Sequence, residues 1–456
     1  MLYAYLQFAG TLVLQIRNKY RRHVFYSYHI RNNMELFEEL ELRGYIDRIT
    51  HDELKDKINQ GGMTFYVGYD PTADSLHVGH FAMSNLQRIL QKHGHKPIGL
   101  MGGGTGMIGD PGGRSSERNL LSQEEIEVNI DGIKSQLSKF LEFEAGNKAT
   151  IVNNYDWLSK LELIDFLRDI GKHFSVNAMI NRDSVKSRLD REGEGISYTE
   201  FSYMLLQAYD FYQLCKNNDC TLQLGGSDQW GNIVSGIDLT RRLLNRQLYG
   251  LTIPLITKAD GNKFGKSETG TVWLSSEKTS PYEFYQFFLN QADEDVIRFL
   301  KVFTEVSLDE IAELEASVKN EPHRRLAQKR LAEEVTRVVH GQAALDGAIK
   351  ASRALFGEKI ENLDDTLISQ IFKDVPSTKM EKNRLTDGIS LIDALVETGA
   401  SKSKGQARKL IESGGAYVNN ESQKNIDYRL TQSDMASNSF MIIRSGKKNY
   451  RLLSFE

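Results

Sequence analysis

Residues 64–91, TFYVGYDPTADSLHVGHFAMSNLQRILQ, constrain what this chain can fold into more than any other stretch. Thr64, Phe65, Tyr66 and Val67 form a β-branched and aromatic run that reads as a strand, and Gly68 breaks it before a turn built on Asp70-Pro71. After the turn, His77-Val78-Gly79-His80 leads into a segment whose apolar spacing is helical. A strand that delivers a loop onto a helix N-terminus aims free backbone N–H groups and the positive end of the helix dipole at that loop, which favours an anion such as a phosphate. Gly79 has no Cβ, so a planar base or a phosphate is expected to approach the backbone there between two imidazoles. Four-residue patterns recur by chance, and two unrelated surface histidines would look the same in isolation.

A second segment, KADGNKFGKS at residues 258–267, changes the weight of the first. Lys263, Lys266 and Ser267 sit in a loop punctuated by Gly261 and Gly265, suited to bringing two ammonium groups onto a polyphosphate. Alone it would pass for a solvated turn. Together, HVGH and KFGKS resemble the two signature motifs of class I aminoacyl-tRNA synthetases, written HIGH and KMSKS. The residues between them narrow the resemblance to the bacterial-type tyrosyl-tRNA synthetase family, over nearly the whole chain from Met34 to Glu456. The family's fold is then expected: an α/β, Rossmann-like parallel-sheet catalytic domain at 34–280, an α-helical anticodon-binding domain at 281–356, a linker at 357–387, and a small α+β S4-like RNA-binding domain at 388–456.

Composition sets the outer bounds. A chain of 456 residues accommodates about three domains of roughly 150 residues each. The net charge of −4 argues against a generally basic nucleic-acid binder, but residues 388–456 carry ten Lys/Arg against seven Asp/Glu. RNA contact is therefore expected on local basic patches. Two cysteines, Cys215 and Cys220, are too few for a disulfide framework or a zinc site and suit a reducing compartment. Residues 1–33 differ from the rest, with five Lys/Arg, no acid and an apolar start too short for a membrane span. Their positive charge follows the apolar run, the reverse of a secretory signal. The expectation is that Met34 is the physiological start and the enzyme cytoplasmic; a mitochondrial matrix location is the alternative if 1–33 is a transit peptide.

The glycine-rich turn at 102–109 formally satisfies GxGxxG, which makes a nicotinamide-dependent oxidoreductase the rival reading from another class. The context is wrong for it. A dinucleotide fingerprint starts its helix within the glycines, whereas Asp110-Pro111-Gly112-Gly113 prolongs the loop. Most of these glycines are expected to serve close packing at strand ends. Asp110, a carboxylate at the mouth of the turn, is suited to an amino-acid ammonium, the role the resemblance implies for it.

Ser197-Tyr198-Thr199-Glu200 reads as a capping box starting a helix through FSYMLLQAYDFYQLC. On it Tyr203, Gln207 and Asp210 are spaced i, i+4, i+7 and share one face. A phenol, an amide and a carboxylate among so many apolar residues leave little room for a merely solvated face. The resemblance implies a tyrosine pocket in which Asp210 and Tyr66 take the substrate hydroxyl while Tyr203, Gln207 and Asp110 hold its ammonium. A buried carboxylate left unpaired when phenylalanine enters rejects it without an editing site, and tyrosyl-tRNA synthetases are the familiar example of such discrimination.

The segment TLQLGGSDQWGNI is a strand ending in Gly225-Gly226, with Asp228 and Gln229 at the mouth where open α/β sheets bind ligands. By resemblance, Asp228 holds the ATP ribose, and Gln223 and Gln229 orient the amino acid. Beyond residue 280 the pattern is helical to about 356, with a further cap at Ser307 and a cationic cluster at Arg324, Arg325, Lys329 and Arg330. At the C-terminus two short helices flank SKSKGQAR before a Gly414-Gly415 turn. This resembles an S4-type module in which Lys402, Lys404, Arg408 and Lys409 meet phosphates, with Arg444, Lys447, Lys448 and Arg451 adding charge.

The implied reaction has two steps. The tyrosine carboxylate attacks the α-phosphorus of ATP, giving tyrosyl-adenylate and pyrophosphate, and the 3′ end of tRNA(Tyr) then takes the tyrosyl group. Positioning and charge stabilisation carry it. Thr72, His77, Lys263 and Lys266 would serve the leaving pyrophosphate, His80 and Asp70 would position the reacting groups, and Gly68, Gly79 and Ser267 would line the nucleotide. ATP is a substrate that brings Mg2+ with it; no protein-bound metal, no NAD and no membrane are expected, and the family implies a homodimer. The family's loop around Arg114 and Arg118 contacts phosphate, and Val67 stands where relatives can carry a cysteine. A non-catalytic RNA-binding protein on the same scaffold would lose the signature residues, and a tryptophanyl enzyme would not place Tyr66 with Asp210.

Overall fold

In the computed structural model, residues 34–446 and 449–456 are described, apart from residues 111–120, 145, 183–184, 187–188, 190–194, 263, 268–269, 356, 362 and 374. The expectations for residues 1–33, Arg114, Arg118, Lys263, Lys447 and Lys448 fall outside them. The described residues fall into two compact units, one of 34–275 with 292–331 and one of 276–291 with 332–456.

The first unit is built on a six-stranded sheet of order β1-β6-β5-β2-β3-β4. Its strands are β1 (Arg48–Ile49), β2 (Thr64–Tyr69), β3 (Lys96–Met101), β4 (Thr150–Asn153), β5 (Cys220–Gly226) and β6 (Tyr249–Ile253). All pairs are parallel except β1 with β6 at the edge. The interior strands are near-continuous apolar runs, as burial on both faces requires, with Phe65, Tyr66, Val67 and Tyr69 of β2 all buried. From the adjacent pair β2 and β5, the chain proceeds outward in opposite directions, to β3 and β4 on one side and to β6 on the other. Right-handed crossovers then put the helices Val78–Lys92 and Trp230–Leu244 on opposite faces. A crevice opens where the order reverses, at the carboxyl ends of β2 and β5.

The sequence reading places residues 292–331 in a separate helical domain, whereas they pack with the sheet. Phe303, at the end of the helix Asp293–Phe303, stacks on Phe81 of Val78–Lys92 with ring centroids 6.0 Å apart. Arg43, buried at 3% exposure, donates to the carbonyls of Thr304 and Val306 at 3.2 and 3.0 Å.

In the second unit a five-stranded sheet runs β12 (Glu421–Gln423), β11 (Ala416–Val418), β14 (Phe440–Ser445), β15 (Asn449–Phe455), β9 (Ser377–Met380). The helices Leu391–Glu397 and Lys404–Glu412 share an apolar core with it through Leu391, Leu395, Ala407 and Ile411. The stretch 357–387 is not the linker its polarity and Pro376 suggest. It supplies β9, which pairs in parallel with β15, and the helix Asp365–Ile371. Its sparse apolar residues Ile360, Leu363, Ile368 and Phe372 are buried together with Ile442 and Leu452.

Candidate active site

Four strand ends bring the expected residues to one place. Asp70 follows β2, and its carboxylate accepts hydrogen bonds from the hydroxyls of Thr105 (2.9 Å) and Tyr203 (2.8 Å). The room for this comes from β3. A Cβ on Gly102 would lie 2.2 Å from Asp70 Oδ1, one on Gly103 would strike Asn153, and one on Gly104 would strike Leu158. The glycine run is thus a packing device, as its context indicates. Burial and the neighbouring carboxylates of Asp70 and Asp110 push the Tyr203 phenol well above its ordinary range, so it stays a donor.

Ser197 caps the helix Tyr198–Asn218 through the Glu200 N–H, as its sequence predicts, and the polar stripe faces the sheet. Asp210 is 1% exposed. Its Oδ2 accepts from Asn154 Nδ2 at 2.9 Å and its Oδ1 from Trp157 Nε1 at 2.8 Å. Burial pushes its pKa up to about 7 against the lowering effect of those two donors, with the Asp70 charge adding to the rise. Tyr66 packs edge-on against Phe211, and burial together with the Asp210 charge keeps its phenol protonated. Tyr66 and Gln223 are register partners on β2 and β5, so their side chains leave the sheet on the same face. Among the described residues the Tyr66 hydroxyl and Gln223 Oε1 are buried without a hydrogen-bond partner. Two such orphans side by side are costly in a fold that has no ligand to meet them.

Gln229 joins the rest. Its Nε2 donates to Asp110 Oδ2 at 2.8 Å, while its Oε1 accepts from Gln207 Nε2 at 3.2 Å. Asn232 closes the network by donating to Gln207 Oε1 at 2.9 Å. Asp228 is exposed at the rim, as is Thr72 on the other side of the crevice.

The first signature differs from its sequence reading in one respect. His77 is the N-cap of Val78–Lys92, and its Nδ1 accepts the Gly79 N–H at 3.0 Å, while His80 Nδ1 accepts the His77 N–H at 3.3 Å. The N–H of Val78 is bound to Val272 O and that of His80 to His77 O. The backbone donors at the helix start are therefore spent inside the protein. A Cβ on Gly79 would meet the His77 ring at 2.8 Å, so this glycine accommodates an imidazole. Because a backbone N–H can only donate, both Nδ1 atoms are acceptors and both rings carry their proton on Nε2. Burial agrees, lowering the pKa of His77 and bringing His80 down to about 3, the second aided by His77. The stacked rings, 3.9 Å apart, thus offer two neutral N–H donors.

The second signature lies against the first. The backbone of Lys266 and Ser267 forms β7, paired with β8 (Gly270–Thr271), and Leu274 N donates to Leu76 O at 2.8 Å. Gly265, at φ +102°, sits where a Cβ would be 3.0 Å from Val78. Sequence reasoning missed Asn154, Trp157, Thr105 and Asn232. The only signals were polar groups in NNYDW and WGN and a lone threonine in the glycine run, beside strand ends whose neighbours the sequence does not reveal.

A doubly wound sheet with these two signatures laced together at its switch point defines a class I tRNA synthetase, and the family model described as "tRNA synthetases class I (W and Y)" matches residues 58–357. A model for the "Tyrosine--tRNA ligase SYY-like C-terminal domain" matches residues 367–453. Over 423 residues the chain is 51% identical to a tyrosine--tRNA ligase of Staphylococcus haemolyticus, covering 92% of this chain and 99% of that one. The chain belongs to the tyrosine–tRNA ligase family. Among solved structures it is similar to C-terminally truncated mitochondrial tyrosyl-tRNA synthetases of Coccidioides posadasii and Aspergillus nidulans. The first is 32% identical with TM-score 0.61, covering 74% of this chain and 99% of that one. The second is 30% identical with TM-score 0.63, covering 75% and 100%.

Proposed function

We propose that the crevice between β2 and β5 activates L-tyrosine with ATP and passes it to tRNA(Tyr), and that each expected residue acts there as follows. The substrate phenol lies between Tyr66 and Asp210. Its ammonium meets Asp110, Tyr203 and Gln207, and Gln223 and Gln229 orient the carboxylate towards the α-phosphorus. Asp228 takes the ribose, and Gly68 leaves space beside it, while Gly79 makes room for the His77 ring that faces the nucleotide. His77 and His80 donate Nε2–H to the nucleotide's phosphate region as neutral dipoles, which needs no change of protonation on binding. Thr72, Lys263, Lys266 and Ser267 stabilise the departing pyrophosphate, with Mg2+ arriving on ATP as part of the substrate. The observation that carries the reading is the conjunction of the Tyr66 hydroxyl, Gln223 Oε1 and the doubly supported Asp210 carboxylate in one buried place.

The test is amino-acid-dependent ATP–pyrophosphate exchange with tyrosine, phenylalanine and tryptophan. Exchange is expected with tyrosine alone, and Asp210→Ala is expected to abolish it. Unchanged kinetics in that variant would refute the pocket.

Three further parts of the reading rest on surface features. Leu163, Ile164, Leu167, Val176 and Tyr198 of the first unit are apolar and exposed, which supports a homodimer burying them; a one-subunit mass in sedimentation equilibrium at micromolar concentration would reject it. Lys402, Lys404, Arg408 and Lys409 are exposed on or beside the helix Lys404–Glu412, which supports an S4-like RNA surface, with Lys404 held by Asp393 at 2.7 Å until RNA competes. Arg444 and Arg451 drop out of that surface. The first is stacked over Tyr417 at 4.0 Å and the second donates to Thr398 O. Unaltered tRNA affinity after replacing the four exposed cations by alanine would rule this out. The helices Pro281–Leu289 and Gln342–Leu355 of the second unit are assigned to the anticodon arm, and the enzyme to the cytoplasm. Among the described residues no helix is long and apolar enough to cross a membrane, and no group of three His, Cys, Asp or Glu could hold a metal.

A further inference from the structure

The helix Asp293–Phe303 touches both signatures without containing either. At its N-terminal turn, Asp295, 4% exposed, accepts the Ala259 N–H on Oδ1 at 2.9 Å. Arg298 donates to that same oxygen at 3.0 Å and also to the carbonyl of Thr257. These two side chains thus grip the chain that enters the second signature at one N–H, that of Ala259, and one C=O, that of Thr257. Two residues before Lys266, the ring of Phe264 is buried with its centroid 4.4 Å from Phe299 and 5.1 Å from Phe303. Its N–H is bound to Ile256 O at 3.1 Å, closing the base of the loop. Phe303 in turn lies nearly parallel to Phe81, which is one turn into the first signature's helix. One aromatic ring therefore sets the distance between the loop that carries the lysines and the helix capped by the histidines.

We infer that Asp295 and Arg298 are positioning residues for tyrosyl-adenylate formation, holding the backbone of Thr257 and Ala259, with Phe264 on its Phe299/Phe303 seat, so that the second signature's ammonium groups meet the phosphates beside His77. This rests on the assignment of the second signature to pyrophosphate departure. Neither side chain reaches the substrates; they act through the backbone of Thr257 and Ala259. Since misplacement of a reacting group by about 1 Å costs on the order of 10²-fold in rate, releasing this grip should appear in kcat and leave the tyrosine pocket alone.

The experiment is tyrosine-dependent ATP–pyrophosphate exchange with the full chain, comparing wild type, Asp295→Ala, Asp295→Asn, Arg298→Gln and Lys266→Ala. Asp295→Ala is expected to lower kcat by roughly 10- to 100-fold with KM for tyrosine within about twofold of wild type. Asp295→Asn retains an acceptor for the Ala259 N–H and should recover part of the loss. Arg298 is about half exposed, with 47% side-chain exposure, so Arg298→Gln reports the same split without threatening the fold should Asp295→Ala fail to fold. Wild-type kcat in Asp295→Asn and Arg298→Gln, alongside a clear loss in Lys266→Ala, would overturn the inference. No loss in Lys266→Ala would instead overturn the assignment of the second signature, and the inference with it.

Discussion

The pH dependence of Trp157→Phe separates the electrostatic support of the pocket from its shape. Phenylalanine keeps an aromatic ring where Trp157 packs against the cluster of Tyr66, Phe211 and Ile233, and removes the indole N–H that Asp210 Oδ1 accepts at 2.8 Å together with some ring volume, a loss that does not vary with pH. A hydrogen bond to a charged group contributes about 1.5–3 kcal/mol, which corresponds to roughly 1–2 pKa units on the group that loses it. The direction is fixed, because the donor stabilises the carboxylate form. Starting from a pKa of about 7, Asp210 in the variant would titrate between roughly 8 and 9. At pH 7.5 the ionised fraction then falls from about three quarters to between roughly a quarter and a few per cent. A phenol donates more strongly to a carboxylate than to a neutral carboxyl group, so KM for tyrosine should rise about 3- to 20-fold at that pH. The ratio of variant to wild-type KM should shrink steadily from pH 6 to pH 8.5 as the variant's carboxylate ionises. The assay is tyrosine-dependent pyrophosphate exchange across that range at saturating ATP. A KM ratio that stays constant with pH would mean that the loss is steric, and the account of Asp210 would be wrong.

The same carboxylate makes a stability prediction. Asp210 titrates near 7 when folded against 3.8 ordinarily, so between about pH 4 and pH 7 the folded state holds a proton that the unfolded chain has lost, and stability falls as pH rises through that window, by up to roughly 4 kcal/mol in all, and is level above it. Asp210→Asn cannot ionise, so in urea unfolding it should gain on wild type between pH 5 and pH 8, and a gap independent of pH would reject the assignment. Gly132 lies inside the helix Gln123–Phe140, where alanine ordinarily stabilises by about 1 kcal/mol. Here its Cβ would fall 2.0 Å from the backbone oxygen of Asp74, so Gly132→Ala should lower Tm through overpacking of about 1–3 kcal/mol, and a raised Tm would contradict the close approach.

What the sequence made legible was local. The helix after His77 and the caps at Ser197 and Ser307 are set by neighbouring residues and stand as read, while the strand from Thr64 does not break at Gly68 but runs on to Tyr69. The stripe Tyr203, Gln207, Asp210 was also visible, because helical spacing alone puts it on one face. Asn154 and Trp157 were not. Their meeting with Asp210 depends on β4 lying beside β3 and on a helix more than 50 residues away in sequence, and a polar turn after a short strand carries no mark of that. The 357–387 stretch misled for a related reason: six buried apolar residues scattered among charged ones have neither helical nor strand period strong enough to read. The histidines misled differently. A helix start normally leaves its N–H groups open, but the imidazoles themselves take that role here, which no spacing rule anticipates.

Two different supports therefore hold the two ends of the reaction. The amino-acid end is fixed by strand register. Tyr66 faces Gln223 across β2 and β5, and a slip of one residue would turn either side chain to the opposite face of the sheet. That arrangement is part of a core with buried strands on both sides and has no means of small adjustment. The phosphate end hangs on side-chain and backbone contacts at a loop base, through Asp295, Arg298 and a cluster of rings, and such contacts can be loosened without unfolding a sheet. On the proposed reading, substitutions at the two ends should therefore separate in the kinetics, with changes at the sheet register moving KM for tyrosine and changes at the Asp295–Arg298 grip moving kcat.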